Sequence, residues 1–174
     1  TAGARSPFEV FPTPGPASAN QATRYENGND FAVAGVAGVR YPVDIELADQ
    51  FSNKLTTGGA NVTLTASLQQ SGRRRTQTAT LDVSTTDNAD GTYTLRYRFA
   101  VAAAYTIGVI VNQQTVPGLT APVITAPAAA DGALCTAIGD GVDNSAASTP
   151  LSAGASTSFE VLVFDAFTNP IVDM

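Results

Sequence analysis

The sequence predicts an all-β protein built as an antiparallel sandwich, and three observations lead to this prediction. Apolar side chains recur at every second position along several short runs, which is the period of a strand with one buried face. Turn-forming Gly, Pro, Asn and Asp residues separate these runs. No segment shows a convincing amphipathic helix. Several short strands at this spacing are typical of two packed sheets.

The predicted strands follow one another at short intervals. The stretch Phe31–Val39 is apolar, but Gly35 and Gly38 would each cost roughly 1 kcal/mol inside a helix, so we expect an irregular strand or loop. The alternating strands are predicted at residues 43–47, 62–68, 78–84, 93–99 and 105–111. Turns are predicted between them, at Gly58-Gly59, Ser71-Gly72, Asn88–Gly91 and Pro117-Gly118.

Composition excludes several classes of function. There are 15 acidic and 9 basic residues, a formal charge of −6, whereas nucleic-acid binding needs a basic face. There is no histidine and only one thiol, which removes the usual catalytic dyads, zinc ligands and intrachain disulfides. The longest strongly apolar run, Phe99–Val111, is shorter than the ~20 residues that a bilayer requires. We therefore expect no enzyme, no cofactor, no metal site and no membrane insertion of this segment.

An internal repeat divides the sequence. The sequence DQFSNKL at Asp49–Leu55 recurs as DAFTNPI at Asp165–Ile171, 116 residues later. The same offset relates further pairs: Val43 to Phe159, Ile45 to Val161, Leu47 to Val163 and Gly38 to Gly154. We expect residues 1–14 to hold the last strand of one repeat, 15–126 a complete repeat, and 127–174 the opening strands of the next. A unit of this length has the size of an immunoglobulin-like sandwich of about seven strands.

Several motifs resemble those of filamin-type immunoglobulin repeats. DNADGTYTLRY at Asp87–Tyr97 is similar to the family's D-x-x-D-G-T-Y-x-V-x-Y signature, and Tyr105–Val109 is similar to the strand after it. SPFEV at Ser6–Val10 resembles the family's final strand, and Asp131–Gly141 resembles its opening strand. The sequence departs from the family at Ala102–Ala104, where a glycine and a polar residue usually stand before the tyrosine. The resemblance covers nearly the whole sequence and implies a non-catalytic repeat.

The resemblance also implies a docking edge for extended partner peptides. In filamin-type repeats this edge lies between two strands that correspond here to residues 62–68 and 78–84. A partner would add as a further strand and pair with the unpaired N–H and C=O groups of the edge. The candidate groove residues are Val62, Leu64, Ala66, Leu68, Leu81 and Val83. The alternation leaves a second interpretation open, in which Leu64 and Leu81 are simply core residues.

Two further surface features have both a functional and a plain structural interpretation. Asn61 begins an N-x-T sequon, so it is a glycosylation site if the chain is secreted, and a glycan there would crowd the docking edge. Arg73, Arg74 and Arg75 form the only basic cluster. As a functional site this basic loop would hold an acidic partner, but we favour a solvated loop, because one short run is a weak signal.

Cysteine and carboxylate chemistry give weaker signals still. Cys135 alternates with Ala133 and Ala137, so we expect a buried, unreactive thiol in an opening strand. The acidic turn at Asp87–Asp90 fails the requirements of a calcium-binding EF-hand loop, since Arg98 stands where the bidentate Glu belongs. We interpret it as a turn in which side-chain oxygens bond the backbone.

We expect a structural repeat that acts as a spacer and protein-docking module in a larger cytoskeletal, ciliary or cell-surface protein. Its expected partners are neighbouring repeats and other proteins, the latter by strand addition. The alternative is an extracellular adhesion module that recognises a protein or glycan on another cell through its loops, which the Ala, Thr and Ser richness and Asn61 favour. The scarcity of Cys mildly favours a reducing compartment. Unpaired edges predict that the pieces 6–10 and 127–174 pair with each other, between molecules, or with neighbouring protein.

Overall fold

The fold consists of two four-stranded sheets and an additional pair of strands. A computed structural model describes residues 13–26, 28–69, 81–139, 154, 156 and 158–172. Its strands are β1 (Thr23–Arg24), β2 (Ala34–Val36), β3 (Tyr41–Glu46), β4 (Val62–Leu68), β5 (Leu81–Asp87), β6 (Thr92–Phe99), β7 (Ala104–Val111), β8 (Gln114–Ala126), β9 (Thr136–Ile138) and β10 (Glu160–Leu162), with a 3₁₀ turn at Ala19–Gln21. The sheets have the strand orders β1-β3-β6-β5 and β2-β8-β7-β4, and β9 pairs with β10. The prediction of an all-β sandwich is confirmed.

The first sheet is organised around β6, which pairs in an antiparallel manner with both β3 and β5. Its inward side chains alternate with outward polar ones, as the sequence predicted. The buried set on β6 is Tyr93, Leu95, Tyr97 and Phe99, and that on β3 and just after it is Val43, Ile45 and Leu47. The described part of the strand predicted at residues 78–84 begins at Leu81 and continues to Asp87. Residues 78–80 lie outside the described part of the molecule.

The second sheet is organised around β7 and β8, with β4 and β2 at its edges. The β4 bounds agree with the predicted 62–68. The segment Phe31–Val39 is irregular, as expected, and contributes only the three residues of β2, which run parallel to the end of β8. A side chain at Gly35 would meet the ring of Tyr41 at about 3.0 Å, so glycine allows this close packing.

The predicted turn at Pro117-Gly118 is wrong. The backbone reverses earlier, at Asn112 and Gln113, whose φ angles of 48° and 68° are those of a tight hairpin turn. Asn tolerates this left-handed conformation, which the sequence analysis overlooked. Pro117 and Gly118 lie inside β8, opposite a register shift between Gly108 and Ile110. Because proline has no N–H to donate to the ladder, it is accommodated at such an irregularity.

Three tyrosines fill the core of a protein that has no tryptophan. Tyr93, Tyr97 and Tyr105 are fully buried, and their rings supply a large apolar area. Each phenol also has a backbone partner. Tyr93 accepts a hydrogen bond from the amide of Ala60 at 2.9 Å, Tyr97 accepts one from Ala32 at 3.0 Å, and Tyr105 donates to the carbonyl of Val101 at 2.9 Å. Burial raises the pKa of all three phenols, so they stay protonated in neutral solution.

The acidic turn between β5 and β6 is a network of hydrogen bonds from backbone amides to side chains. Asp87 accepts the amide of Ala89 at 2.8 Å, and Asp90 accepts that of Thr92 at 2.9 Å. Asp87 also accepts the amide of Gly59, which lowers its pKa together with the bond from Ala89. The described geometry is therefore that of the predicted turn.

Two glycines with positive φ provide a matched test of this packing. A Cβ at Gly91 (φ 88°) would lie 2.1 Å from the carbonyl oxygen of Leu55, whereas one at Gly118 (φ 80°) would meet open space. We expect Gly118→Ala to lower the free energy of unfolding by about 1–2 kcal/mol, the cost of the left-handed conformation. Gly91→Ala should lower it further, because the backbone must also move. Urea unfolding measures both, and equal losses would contradict this account.

Candidate docking edges

Among the described residues, strand β4 pairs on one side only, with β7. The amide of Gln69 donates to the carbonyl of Ala104 just before β7, at 2.8 Å. Because backbone polar groups alternate in direction along a strand, the odd-numbered residues of β4 pair with β7 and the even-numbered ones point away from it. The hydroxyl of Thr85 on β5 donates to the carbonyl of Val62 at 3.0 Å, consistent with this alternation. The even-numbered residues therefore direct their N–H and C=O groups towards the side of β5.

The structure divides the six candidate groove residues into two groups. Val62 and Leu64 are 5% and 6% exposed and belong to the core. The other four are half-buried and pack against the rim of the core: Ala66, Leu68, Leu81 and Val83. The core interpretation therefore applies to Leu64, whereas Leu81 lies at the partly open seam between the sheets. The Thr85–Val62 hydrogen bond joins β4 and β5 at one end of this seam. The half-buried apolar residues lie further along the two strands, beyond Leu64.

Other predicted site residues fall at several places. Asn61 is exposed immediately before β4, and its backbone amide donates to the side chain of Asn112 at 3.1 Å. Arg73, Arg74 and Arg75 lie outside the described residues, as does the Ser6–Val10 segment.

The predicted burial of Cys135 within a strand is wrong, whereas its predicted lack of reactivity stays a prediction. Its side chain is half-buried and precedes β9, with Sγ 3.2 Å from the carbonyl oxygen of Asp131. The preceding residues 132–134 form a turn, so the alternation with Ala133 was not that of a strand. The carboxylate of Asp131 accepts the amide of Ala133 at 3.0 Å and holds that turn. The tendency of Asp side chains to accept backbone amides in turns was the sequence signal that could have indicated this turn.

A second set of contacts begins at Asp49, a buried carboxylate shortly after β3. Its two oxygens accept the backbone amides of Phe51 (2.9 Å), Asn53 (3.0 Å) and Gly15 (2.9 Å) and the side-chain amide of Asn53 (3.0 Å). These bonds, chiefly those from the Asn53 side chain and the Gly15 backbone, lower the pKa of Asp49 from its ordinary value of 3.8 to about 2. The Asp49 carboxylate therefore stays ionised at neutral pH, and its bond to Gly15 ties the segment before β1 to the end of β3.

The recurrence of the sequence is also a recurrence of geometry. Asp165 accepts the backbone amides of Phe167 (2.9 Å), Asn169 (2.8 Å) and Ala128 (2.8 Å) and the side-chain amide of Asn169 (2.8 Å). Ser52 and Thr168 occupy the same position in the two turns and have φ angles of 67° and 63°. Burial acts to raise the pKa of Asp165, but the hydrogen bonds outweigh it and the net shift is downward.

The second turn makes contacts that the first does not. The carbonyl of the Asn169 side chain accepts the amide of Ala102 at 2.9 Å, and its NH₂ group donates to the carbonyl of Ala100 at 2.9 Å. The ring of Phe167 covers Gly38, where a Cβ would lie 2.3 Å from two ring carbons. Residues 165–169 therefore dock on the β6–β7 loop and on the segment after β2. This junction was not predicted from the sequence, although the recurrence of Phe and Asn at the 116-residue offset was its signal there.

The described residues contain no group of three or more His, Cys, Asp or Glu side chains placed to hold a metal ion. They also include no helix long and apolar enough to cross a bilayer. A cleft of about 230 Å³ beside Gly15 is lined mainly by small residues and backbone, including Gly58, Gly59 and Asn112. Ionised carboxylates are engaged in turns, as at Asp49, Asp87 and Asp165.

Fold and edges together define an immunoglobulin-like repeat with open strand edges. The family model described as Filamin/ABP280 repeat matches residues 17–120. The chain belongs to this family of repeats. Comparison with curated protein sequences gave no match.

Solved structures match more of the chain than the 104 residues that the family model covers. The Escherichia coli adhesin FdeC matches 90% of this chain and 44% of its own length, with a TM-score of 0.55 and 20% identity. Invasin, a bacterial integrin-binding protein, matches 92% of this chain over 29% of its length (TM-score 0.55, 18% identity). Yersinia pseudotuberculosis InvD matches 91% over 45% (TM-score 0.55, 17% identity). The chain spans less than half of each of these structures, and at these identities the likeness is one of fold.

The repeated carboxylate turn predicts a specific loss of stability in acid. The pKa of Asp49 is lower in the folded protein than its ordinary 3.8, so its contribution is fully present above about pH 4 and is lost as the pH falls through about 2. We expect Asp49→Asn to lower the melting temperature at pH 7 and to flatten the dependence of stability on pH between 4 and 2.

Thermal unfolding from pH 7 to pH 2 measures this effect. Glu26→Gln is the control, since Glu26 is exposed and has no hydrogen bond to the described residues. A wild-type slope in the Asp49→Asn variant would contradict the assigned role of the carboxylate.

Proposed function

We propose that the protein is a non-catalytic spacer and protein-docking module within a tandem array of a larger protein. In this proposal residues 15–126 form a complete repeat, while 1–14 and 127–174 belong to its neighbours. One observation carries it: the turn at 165–169 repeats the turn at 49–53 bond for bond and, in addition, contacts the complete repeat through Asn169 and Phe167.

The spacer role rests on how Asn169 is bonded. Adjacent domains in one polypeptide move relative to each other by default unless a specific interface holds them. The side-chain amide of Asn169 donates both hydrogens and uses its oxygen, so it couples the Asp165 turn directly to Ala100 and Ala102. With Asn169 only 4% exposed, these bonds are shielded from competing water. Such a contact limits bending between consecutive repeats.

Distance measurements between two spin labels test this stiffness. The labels are placed at exposed positions by Thr86→Cys and Val161→Cys in a Cys135→Ser background. We expect a narrow distance distribution that Asn169→Ala broadens, because the variant removes the bonds to Ala100 and Ala102.

Asn53→Ala is the matched control, since it removes the equivalent bond to Asp49 and no described contact with a neighbouring unit. Double electron–electron resonance gives the distributions. A broad distribution in the unsubstituted protein, or equal broadening by both variants, would overturn the spacer role.

The docking role rests on the seam between β4 and β5. Both strands are edges of their sheets, and the even-numbered backbone groups of β4 point into the seam. The half-buried rim of Ala66, Leu68, Leu81 and Val83 supplies apolar contacts for alternate side chains of an added strand. Backbone pairing would supply affinity, and this rim would supply selectivity.

A proline substitution tests strand addition with little disturbance of the fold. The N–H of Ala66 points away from β7 and has no partner among the described residues, so Ala66→Pro removes a donor that an added strand would use, and proline is tolerated at such edges. We expect extended peptides selected on the wild-type protein from a phage-displayed library to bind at least tenfold more weakly to this variant. Thr65→Ala, altered on the outward face, should bind them normally. Docking at this edge would be contradicted if the selected peptides bound the Ala66→Pro variant as tightly as the wild type, or if the selection yielded no binding peptide.

A second candidate is an extracellular adhesion module. The observation that favours it is that adhesins match nine-tenths of this chain, beyond the complete repeat alone. Under this proposal the chain is a segment of a cell-surface protein, and recognition occurs through its loops. Beads coated with the protein should then adhere to cultured epithelial cells, and the Ala66→Pro variant should adhere equally well. Adhesion no greater than that of albumin-coated beads would remove this candidate.

A further inference from the structure

Phe51 is an exposed aromatic ring in a turn whose second copy is an interface. It is 74% exposed, whereas Phe167, its equivalent, is 37% exposed and covers Gly38. The turns around both rings are held by the same hydrogen bonds to Asp49 and Asp165. We propose that the edge formed by Phe51 and Asn53 is the docking site for another repeat of this type. The inference rests on the proposed array and assigns the residues that join its members.

The hydrogen-bonding capacity of Asn53 supports this assignment. The Asn169 side chain has partners for its oxygen and for both of its amide hydrogens. Asn53 donates to Asp49 in the same way, but among the described residues its oxygen and its second amide hydrogen have no partner, and its side chain is exposed. Because the Asp49 bonds already fix the orientation of the amide, the edge is preorganised to accept one backbone N–H and donate to one backbone carbonyl.

The receiving surface is also present on this protein, which identifies the partner chemically. It consists of the bare backbone at Gly38 together with the amide of Ala102 and the carbonyl of Ala100. Any side chain at Gly38 would displace the ring, since a Cβ there would lie 2.3 Å from it, and its φ of 80° also favours glycine. The partner of Phe51 is therefore a repeat that offers a glycine beside an open β6–β7 loop.

The receiving glycine also recurs at the 116-residue offset. Gly154 corresponds to Gly38 and has a φ of 88° against 80°. Among the described atoms, nothing lies within 4 Å of a Cβ built on Gly154. Each unit thus contributes a Phe ring and an Asn side-chain amide at one end and a glycine at the other end. Such a contact is head-to-tail and does not close on itself, so it can propagate along an array.

The test uses the full protein with one more repeat, obtained by duplicating residues 12–126 directly after Ala126. Phe51 of the inserted copy then follows a repeat that carries Gly38, while Phe51 of the first copy keeps its present surroundings. Spin labels at Thr86→Cys in both copies, with Cys135→Ser, report the geometry between the two repeats. We expect a narrow distance distribution, and we expect Phe51→Ala with Asn53→Ala in the inserted copy to at least double its width.

The same pair of substitutions in the first copy is the matched control and should leave the width unchanged. A distribution that is broad before any substitution, or that responds equally to both copies, overturns the proposal. An effect of Phe51→Ala on the melting temperature of the unduplicated protein would also overturn it, by showing that Phe51 is already covered there. The Thr86–Val161 label pair measures the native junction. A broad distance distribution at the new junction, together with a narrow one at the native junction, refutes the Phe51 edge alone. A loose native junction refutes the array proposal itself.

Discussion

The arrangement of this protein depends on a carboxylate that gathers backbone amides. Asp49 and Asp165 each accept two backbone N–H groups and one side-chain amide from their own turn, and a third backbone N–H from the preceding linker. A buried charge is tolerated only when it is this well solvated by the protein, and charged acceptors make stronger hydrogen bonds than neutral ones. The turn therefore fixes both the incoming linker and the following Phe and Asn. The position of Phe and Asn in each turn is thus a consequence of electrostatics inside that turn.

The protein manages its unsatisfied backbone groups in two ways. At the β6–β7 loop, the backbone groups of Ala100 and Ala102 are paired by the side chain of Asn169, which lies 67 to 69 positions further along the chain. Along the side, β4 leaves its even-numbered groups facing the seam with β5, where Thr85 pairs one of them. The same requirement that polar backbone groups find partners thus produces a lengthwise contact and a lateral edge.

Periodicity in the sequence was sufficient to predict the strands of the core. Alternation over 43–47, 62–68 and 93–99 determined which side chains are buried, because a strand with one apolar face has only one register that buries it. The hairpin at Asn112–Gln113 was missed because proline and glycine at 117–118 gave a stronger local signal. Pro117 and Gly118 lie within a strand and do not end it.

The junction could not be predicted from pattern alone. The repeat identified Phe167 and Asn169 as equivalents of Phe51 and Asn53, but equivalence in sequence does not say which copy is covered. That depends on contacts between residues far apart in sequence, such as the bond from Asn169 to Ala100, which spans 69 positions. The half-buried state of Cys135 follows from the turn that Asp131 fixes, and the alternation of Cys135 with Ala133 and Ala137 was a stronger local signal for a strand than Asp131 was for a turn.

The linker contacts constrain the sequence of the connecting segments only weakly. The third backbone amide held by the carboxylate comes from Gly15 in one turn and from Ala128 in the other, and in both cases only the N–H is used. The connecting segments can therefore drift in composition and differ in length while the attachment persists. In the proposed array, unequal recombination that adds or deletes a whole period would leave every remaining joint intact, so the length of the array would change in steps of one unit.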